Sequence, residues 1–189
     1  MSLEPDTKDW TWVLEQPCRD CGFDPERLRP DEVARRIPET TSAFVGALAA
    51  SDAGRRLTED RWSVLEYACH VRDVHRIFAE RVESMLSQED PVFANWDQDA
   101  TAIEQAYHLQ DPRTVAVELA EAADRVSAIY ARVGPAQWER RGTRSNGSQF
   151  TVATIAVYHF HDVVHHVWDV TGAGAITEPP SASGSDASR

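Results

Sequence analysis

Residues 151–172 read TVATIAVYHFHDVVHHVWDVTG, and this stretch decides the fold. At about 100° per residue, Phe160, Val163, Val164, Val167 and Val170 gather on one face, the stripe by which an amphipathic helix packs on a core. The segment starts near Thr151 and runs to Thr171-Gly172, where a glycine marks the C-terminal end of a helix. Four of the seven histidines, His159, His161, His165 and His166, fall within it.

Three further helical segments lie upstream. One runs from about Pro30 to Ala50, with Pro30 suited to a first turn and Val33, Ile37, Phe44, Val45 and Leu48 at helical spacing; Pro38 is a candidate kink. The next starts at Ser63, where Ser63-Val-Leu-Glu66 reads as a capping box. Val64, Tyr67, Val71, Val74, Phe78, Val82 and Met85 form its apolar stripe. A third spans about Pro112 to Val133, and Gly134-Pro135 ends it. Strand signals are almost absent, so the pattern predicts an all-α fold, an up-down-type four-helix bundle over residues 30–171. Its connections around 87–110 and 134–150 are long, which on a rigid scaffold often means binding function. Residues 1–29, with Pro5, Pro17 and Pro25, read as an N-terminal arm anchored by Trp10, Trp12 and Phe23. Residues 172–189, rich in Gly, Pro and Ser, read as a disordered tail.

The chain has 189 residues, 42% hydrophobic and 26% charged, which suits one globular domain with tails. Its formal net charge of −12 argues against a broad nucleic-acid footprint. No run approaches the ~18 apolar residues of a membrane span. The acidic, polar start, Met1-Ser2-Leu3-Glu4-Pro5-Asp6, does not look like a signal peptide, so a cytoplasmic location is expected. A small-molecule substrate is the expected partner, not nucleic acid or a membrane, and a homodimer is compatible with the sequence.

The histidines carry the chemistry. His161 and His165 are four apart, about 40° from each other on the helical wheel, so both imidazoles can reach one metal ion. His159 and His166 also share a face, and spacing alone does not choose between the pairs. A third ligand must come from another helix, and the second offers His70 and His75. Asp162, Asp169, Glu66 and Asp73 are candidate acceptors for the ring N–H groups left free by a metal. Elsewhere, Cys18-Arg-Asp-Cys21-Gly22 has the spacing of half a zinc site or of a redox pair. No second cysteine pair exists, although a distant histidine such as His108 could be borrowed, and a tight reduced turn is the simpler reading. Cys69 reads as a small core residue. Asp73 reads equally as an orienting partner for His70 or as a surface group, and Trp62 as a side chain packed under a loop.

Taken together, Trp62-Ser63-x-x-Glu66-x-x-x-His70-Val71-x-Asp73 and His161-Asp162-x-x-His165-His166-x-x-Asp169 resemble the DinB-like superfamily. That group also includes the N-terminal domain of mycothiol-dependent maleylpyruvate isomerase and the bacillithiol transferases. The resemblance covers roughly residues 30–170. It implies a four-helix bundle holding a divalent metal, zinc or nickel, in a three-histidine site made by His70, His161 and His165. It also implies a metal-dependent enzyme that uses metal-bound water, or a low-molecular-weight thiol such as mycothiol, on a small electrophilic substrate. S-transfer, isomerisation and hydrolysis are the activities of such proteins. A metal-binding stress-related or interaction protein without turnover is the alternative. No catalytic or thiol-binding residue is assignable from the sequence. Arg144-Ser145-Asn146-Gly147 resembles a loop that borders the pocket in some members, and a simple polar turn accounts for it equally well.

Overall fold

A computed structural model describes residues 10–172. The acidic start and the tail expected beyond Gly172 lie outside the described residues. The bundle consists of α1 (Val33–Leu48), α2 (Val64–Ser87), α4 (Pro112–Ala131) and α5 (Val152–Thr171), with a short α3 (Gln98–Glu104) between α2 and α4.

Local chemistry sets the helix ends. At the start of α2 the Ser63 side chain accepts from the Glu66 backbone N–H at 3.3 Å, and the Glu66 carboxylate accepts from the Ser63 N–H at 2.9 Å. This reciprocal pair satisfies two donors that a helix start leaves orphaned. Asp111 and Thr151 cap α4 and α5 in the same way, each accepting from a backbone N–H three residues on. Gly172 ends α5 with φ +68°, a left-handed conformation that glycine adopts without strain, and donates its N–H to Trp168 at 2.7 Å.

Helix α1 continues through Pro38, the candidate kink. Proline has no N–H to give the carbonyl four residues back, which is that of Ala34. The Ser127 hydroxyl of α4 donates to that same carbonyl. Ser127→Ala is therefore expected to lower the unfolding free energy by about 1 kcal/mol, the usual net worth of one hydrogen bond. Urea denaturation measures it, and an unchanged midpoint would show that the carbonyl finds water instead.

Helices α1 and α2 each pack mainly on α4 and α5, and touch one another little. The first two bundle helices, and likewise the last two, thus lie across diagonals, whereas α2 and α4 are edge neighbours; in a simple up-down bundle every consecutive pair would be edge neighbours. The connections over residues 49–63 and 132–151 make this possible, because they are long enough to cross an end of the bundle. The all-α expectation also needs correcting. The long connections around 87–110 and 134–150 meet in a small sheet of β1 (Val92–Phe93), β2 (Arg141–Arg144) and β3 (Gln149–Thr151), ordered β1-β2-β3. β2 and β3 form an antiparallel hairpin in which Gly142 faces Phe150, and β1 adds in parallel with Val92 opposite Thr143. Strands of so few residues are too short to show an alternating pattern. Gly142 is where the sheet presses on α2: a Cβ there would lie 2.8 Å from both Met85 Cγ and Phe93 Cε1.

Before α1, residues 10–29 run along the bundle, mainly against α5. Val13, Cys18, Cys21, Phe23 and Leu28 are buried, and all but Val13 join one core cluster with side chains of α1, α2, α4 and α5. Among the described residues, no helix is long and apolar enough to cross a membrane.

Candidate metal centre

His70 sits in the second turn of α2, fully buried. Opposite it, α5 presents Asp162 and His166, four residues apart and so on one face. The Asp162 Oδ1 atom lies 3.6 Å from His70 Nε2 and 3.7 Å from His166 Nε2. These separations are long for hydrogen bonds. They lie close to the edges of a tetrahedron around an ion with ligands at 2.0–2.2 Å, about 3.4 Å. Neither ring nitrogen of His70 has a hydrogen-bond partner, and nor has Asp162 Oδ1, although all three atoms are sealed from solvent. Buried polar atoms are normally paired, so this convergence asks for a missing partner. The donor set of two imidazoles and a carboxylate suits a divalent cation.

The electrostatics prepare the ligands. Burial holds His70 below the usual imidazole range against the opposing pull of Asp162, and so keeps it neutral. Burial alone would raise Asp162, but the His70 and His166 rings beside it outweigh that and hold its carboxyl well below the carboxylate range. His166 Nδ1 faces Asp169 Oδ2 at 3.0 Å, and Arg61 holds Asp169 with an N–H bond of 2.8 Å. A carboxylate on one imidazole nitrogen directs the other toward a metal. Trp96 stacks on His70, with centroids 5.3 Å apart and planes 14° from parallel, and Trp62 tilts against the same ring.

The structure divides the three expected ligands, His70, His161 and His165, between two clusters. His70 groups with Asp162 and His166, whereas His161 and His165 group with Cys18 and Cys21 of the arm; the ligand atoms within each cluster lie within 4.8 Å of one another. The pairs 161/165 and 162/166 are offset by one residue, or about 100° around α5. One therefore faces the arm and the other faces α2. Burial pushes His161 down to about 4 and lowers His165 as well, so both imidazoles are neutral near pH 7.

The candidate acceptors separate similarly. Asp169 serves His166. Glu66 is taken by Ser63 and Arg56. Asp73 is neither a surface group nor a partner of His70: it is buried and accepts from Arg72, Arg76 and the Tyr107 hydroxyl. Cys69 is a buried core residue, its thiol pushed up to about 12 by burial, and His108 is exposed. His75 and His159 meet inside the bundle in a hydrogen-bonded chain, Thr41–His75–His159–Tyr130, with links of 3.1, 2.9 and 3.2 Å. Each ring nitrogen is paired there, which leaves neither histidine for a metal.

Two arginines were not singled out by spacing. Arg144 of β2 lies over Tyr158, one turn before Asp162 on the same face, and its Nε is buried without a partner. Arg81 is buried against Phe78 and Phe93 and donates to the Ala94 carbonyl. Burial, and then the neighbouring Arg144 charge, lower it to about 10. Among the described residues, neither arginine is ion-paired. The i, i+4, i+8 series Tyr158-Asp162-His166 was the available sequence signal for this face. Arg144 itself lies at the mouth of the hairpin turn that the Arg-Ser-Asn-Gly stretch makes, with Gly147 at φ +94°.

An imidazole–carboxylate cluster between two helices of a four-helix bundle, with His70 buried, is an arrangement that could hold a metal ion, and bundle proteins build their core metal sites in this way. The family model of the DinB superfamily matches residues 34–170, and the chain belongs to that superfamily. No curated protein shows a significant match to the sequence. Among solved structures, a similar one is that of YfiT from Bacillus subtilis, described as a probable metal-dependent hydrolase with an unusual four-helix bundle topology. The two share 20% identity with a TM-score of 0.67, over 76% of this chain and 84% of that one, a likeness of fold.

Proposed function

We propose that the protein is a metal-dependent enzyme acting on a small electrophilic substrate, with a divalent ion, zinc or nickel, held by His70, Asp162 and His166. The observation that carries this reading is the trio of sealed, unpartnered ligand atoms, two on His70 and one on Asp162, beside a carboxylate-oriented His166. Three protein ligands leave a position open, as catalytic sites do. A bound ion would supply Lewis acidity and make a thiolate or hydroxide available near neutral pH. The protein's own residues would do the rest. Asp169 and Arg61 hold the His166 ring in place. Trp62 and Trp96 wall His70 from water. Arg144, with its unpaired Nε, would receive an anionic or carbonyl oxygen of the substrate. The attacking group is water or a low-molecular-weight thiol such as mycothiol, giving hydrolysis, isomerisation or S-transfer.

The test is an assay of reconstituted protein on generic electrophiles and esters, with and without added thiol, in wild type and Asp162→Asn. Turnover should require metal, fall by at least about 100-fold in Asp162→Asn, and show a raised KM in Arg144→Gln. Turnover indifferent to chelator and to Asp162→Asn would refute the site. Tight metal binding with no turnover across the panel would support the non-catalytic alternative.

A further inference from the structure

We infer that Cys18, Cys21, His161 and His165 form a second metal site, a closed structural zinc site that fastens the N-terminal arm to α5. The two halves are far apart in sequence, Cys18 and His165 being 147 residues from one another, and only the fold joins them. The arm's half is a tight turn. The Cys18 N–H donates to the Phe23 carbonyl at 2.8 Å and the Gly22 N–H to the Cys18 carbonyl at 2.9 Å. Gly22 sits at φ +73°, where a side chain would be strained, and the reversal brings both thiols to one side. Both cysteines are buried and unbridged. The helix's half is the His-x-x-x-His pair, one turn apart on the face turned to the arm.

Two observations favour a metal over a packed turn. Cys18 Sγ and His165 Nδ1 lie 3.6 Å apart. Bonds of about 2.3 Å to sulfur and 2.0–2.1 Å to nitrogen at a tetrahedral angle put those atoms about 3.6 Å apart. A thiol–imidazole hydrogen bond would also account for that distance, but it would leave His161 Nε2 unexplained. That atom is sealed and has no hydrogen-bond partner, on a residue only 4% exposed, and it faces the same three ligands. Two sulfurs and two nitrogens are the donor set that selects zinc over harder cations. Two thiolates, formed by releasing two protons to solvent, and two neutral imidazoles would exactly balance the ion's charge, which a buried site needs. Trp10 packs on both imidazoles and Phe23 on that of His161, with centroids 5.1 to 5.7 Å apart. Four protein ligands under aromatic cover leave no open position, so the site is structural.

The experiment uses reduced, full-length protein. Loaded with cobalt in place of zinc, the wild type should show a thiolate-to-cobalt charge-transfer absorption, and His70→Ala should keep it. Cys18→Ser with Cys21→Ser should lose the absorption and bind one equivalent less zinc by elemental analysis. Absence of the absorption in the reduced, cobalt-loaded wild type, or unchanged zinc content in the double variant, would overturn the proposal. The wild-type spectrum needs no variant to fold. Because His70→Ala spares this site, its failure is distinguishable from failure of the His70–Asp162–His166 reading.

Discussion

His70→Ala and His161→Ala are each expected to lose one metal ion, and not the same one. Removing His70 would take away one of the three ligands of the proposed core site, so affinity there should fall by more than the roughly 10- to 100-fold that losing only an outer partner costs. His161→Ala should leave that affinity intact and release the ion shared with Cys18 and Cys21. His159→Ala should release neither, because its ring is committed to His75 and Tyr130. The three-histidine set implied by family resemblance predicts otherwise: His70→Ala and His161→Ala would then lose the same ion and be indistinguishable. Competition titrations with a chromophoric chelator, run on both variants with zinc and with nickel, separate the two outcomes. Identical losses would return the ligand assignment to His70, His161 and His165.

Acidification of the metal-free protein should destabilise it steeply below about pH 6.5. Burial holds His75 down at about 3, and His159 is lowered in the same direction by burial and by His75 beside it. An unfolded histidine titrates near 6.5. Above that pH neither state binds the proton, and stability is complete. Between about 6.5 and 3 the unfolded chain takes up a proton that the folded core refuses. Each such histidine then costs about 1.4 kcal/mol per pH unit. Glu66, Asp162 and Asp169 have lowered carboxyls, so their contribution is lost only as the unfolded carboxylates protonate, nearer pH 4. Chemical denaturation between pH 6 and pH 4.5 isolates the histidines. His75→Gln keeps a donor and an acceptor but does not titrate, and should make the slope shallower by about 1.4 kcal/mol per unit. Parallel slopes in wild type and variant would show that water or relaxation lets the core histidine charge.

Much of the architecture is legible without coordinates, because the signals are local. The Ser63–Glu66 box and Thr171-Gly172 place helix ends through hydrogen bonds spanning three or four residues. The apolar stripes of α2 and α5 declare which faces are covered. The small sheet was not legible: each strand is stabilised by a partner from another connection, and two to four residues carry no period of their own.

The site shows the same division. The sequence by itself determined that α5 carries His161 and His165 at helical spacing with Asp162 and His166 beside them, that α2 brings His70, and that the arm brings two cysteines. A helical wheel fixes angles between residues of one helix but not the rotation of that helix against its neighbours. That rotation depends on what packs on every side of α5 at once. Here α1 and α2 cover it on the bundle side and the arm, through Trp10 and Phe23, covers part of the rest. Only the tertiary structure could therefore decide that Asp162 and His166 meet His70, and that His161 and His165 meet Cys18 and Cys21. The choice turns on a one-residue offset of about 100°, settled by contacts between segments more than ninety residues apart.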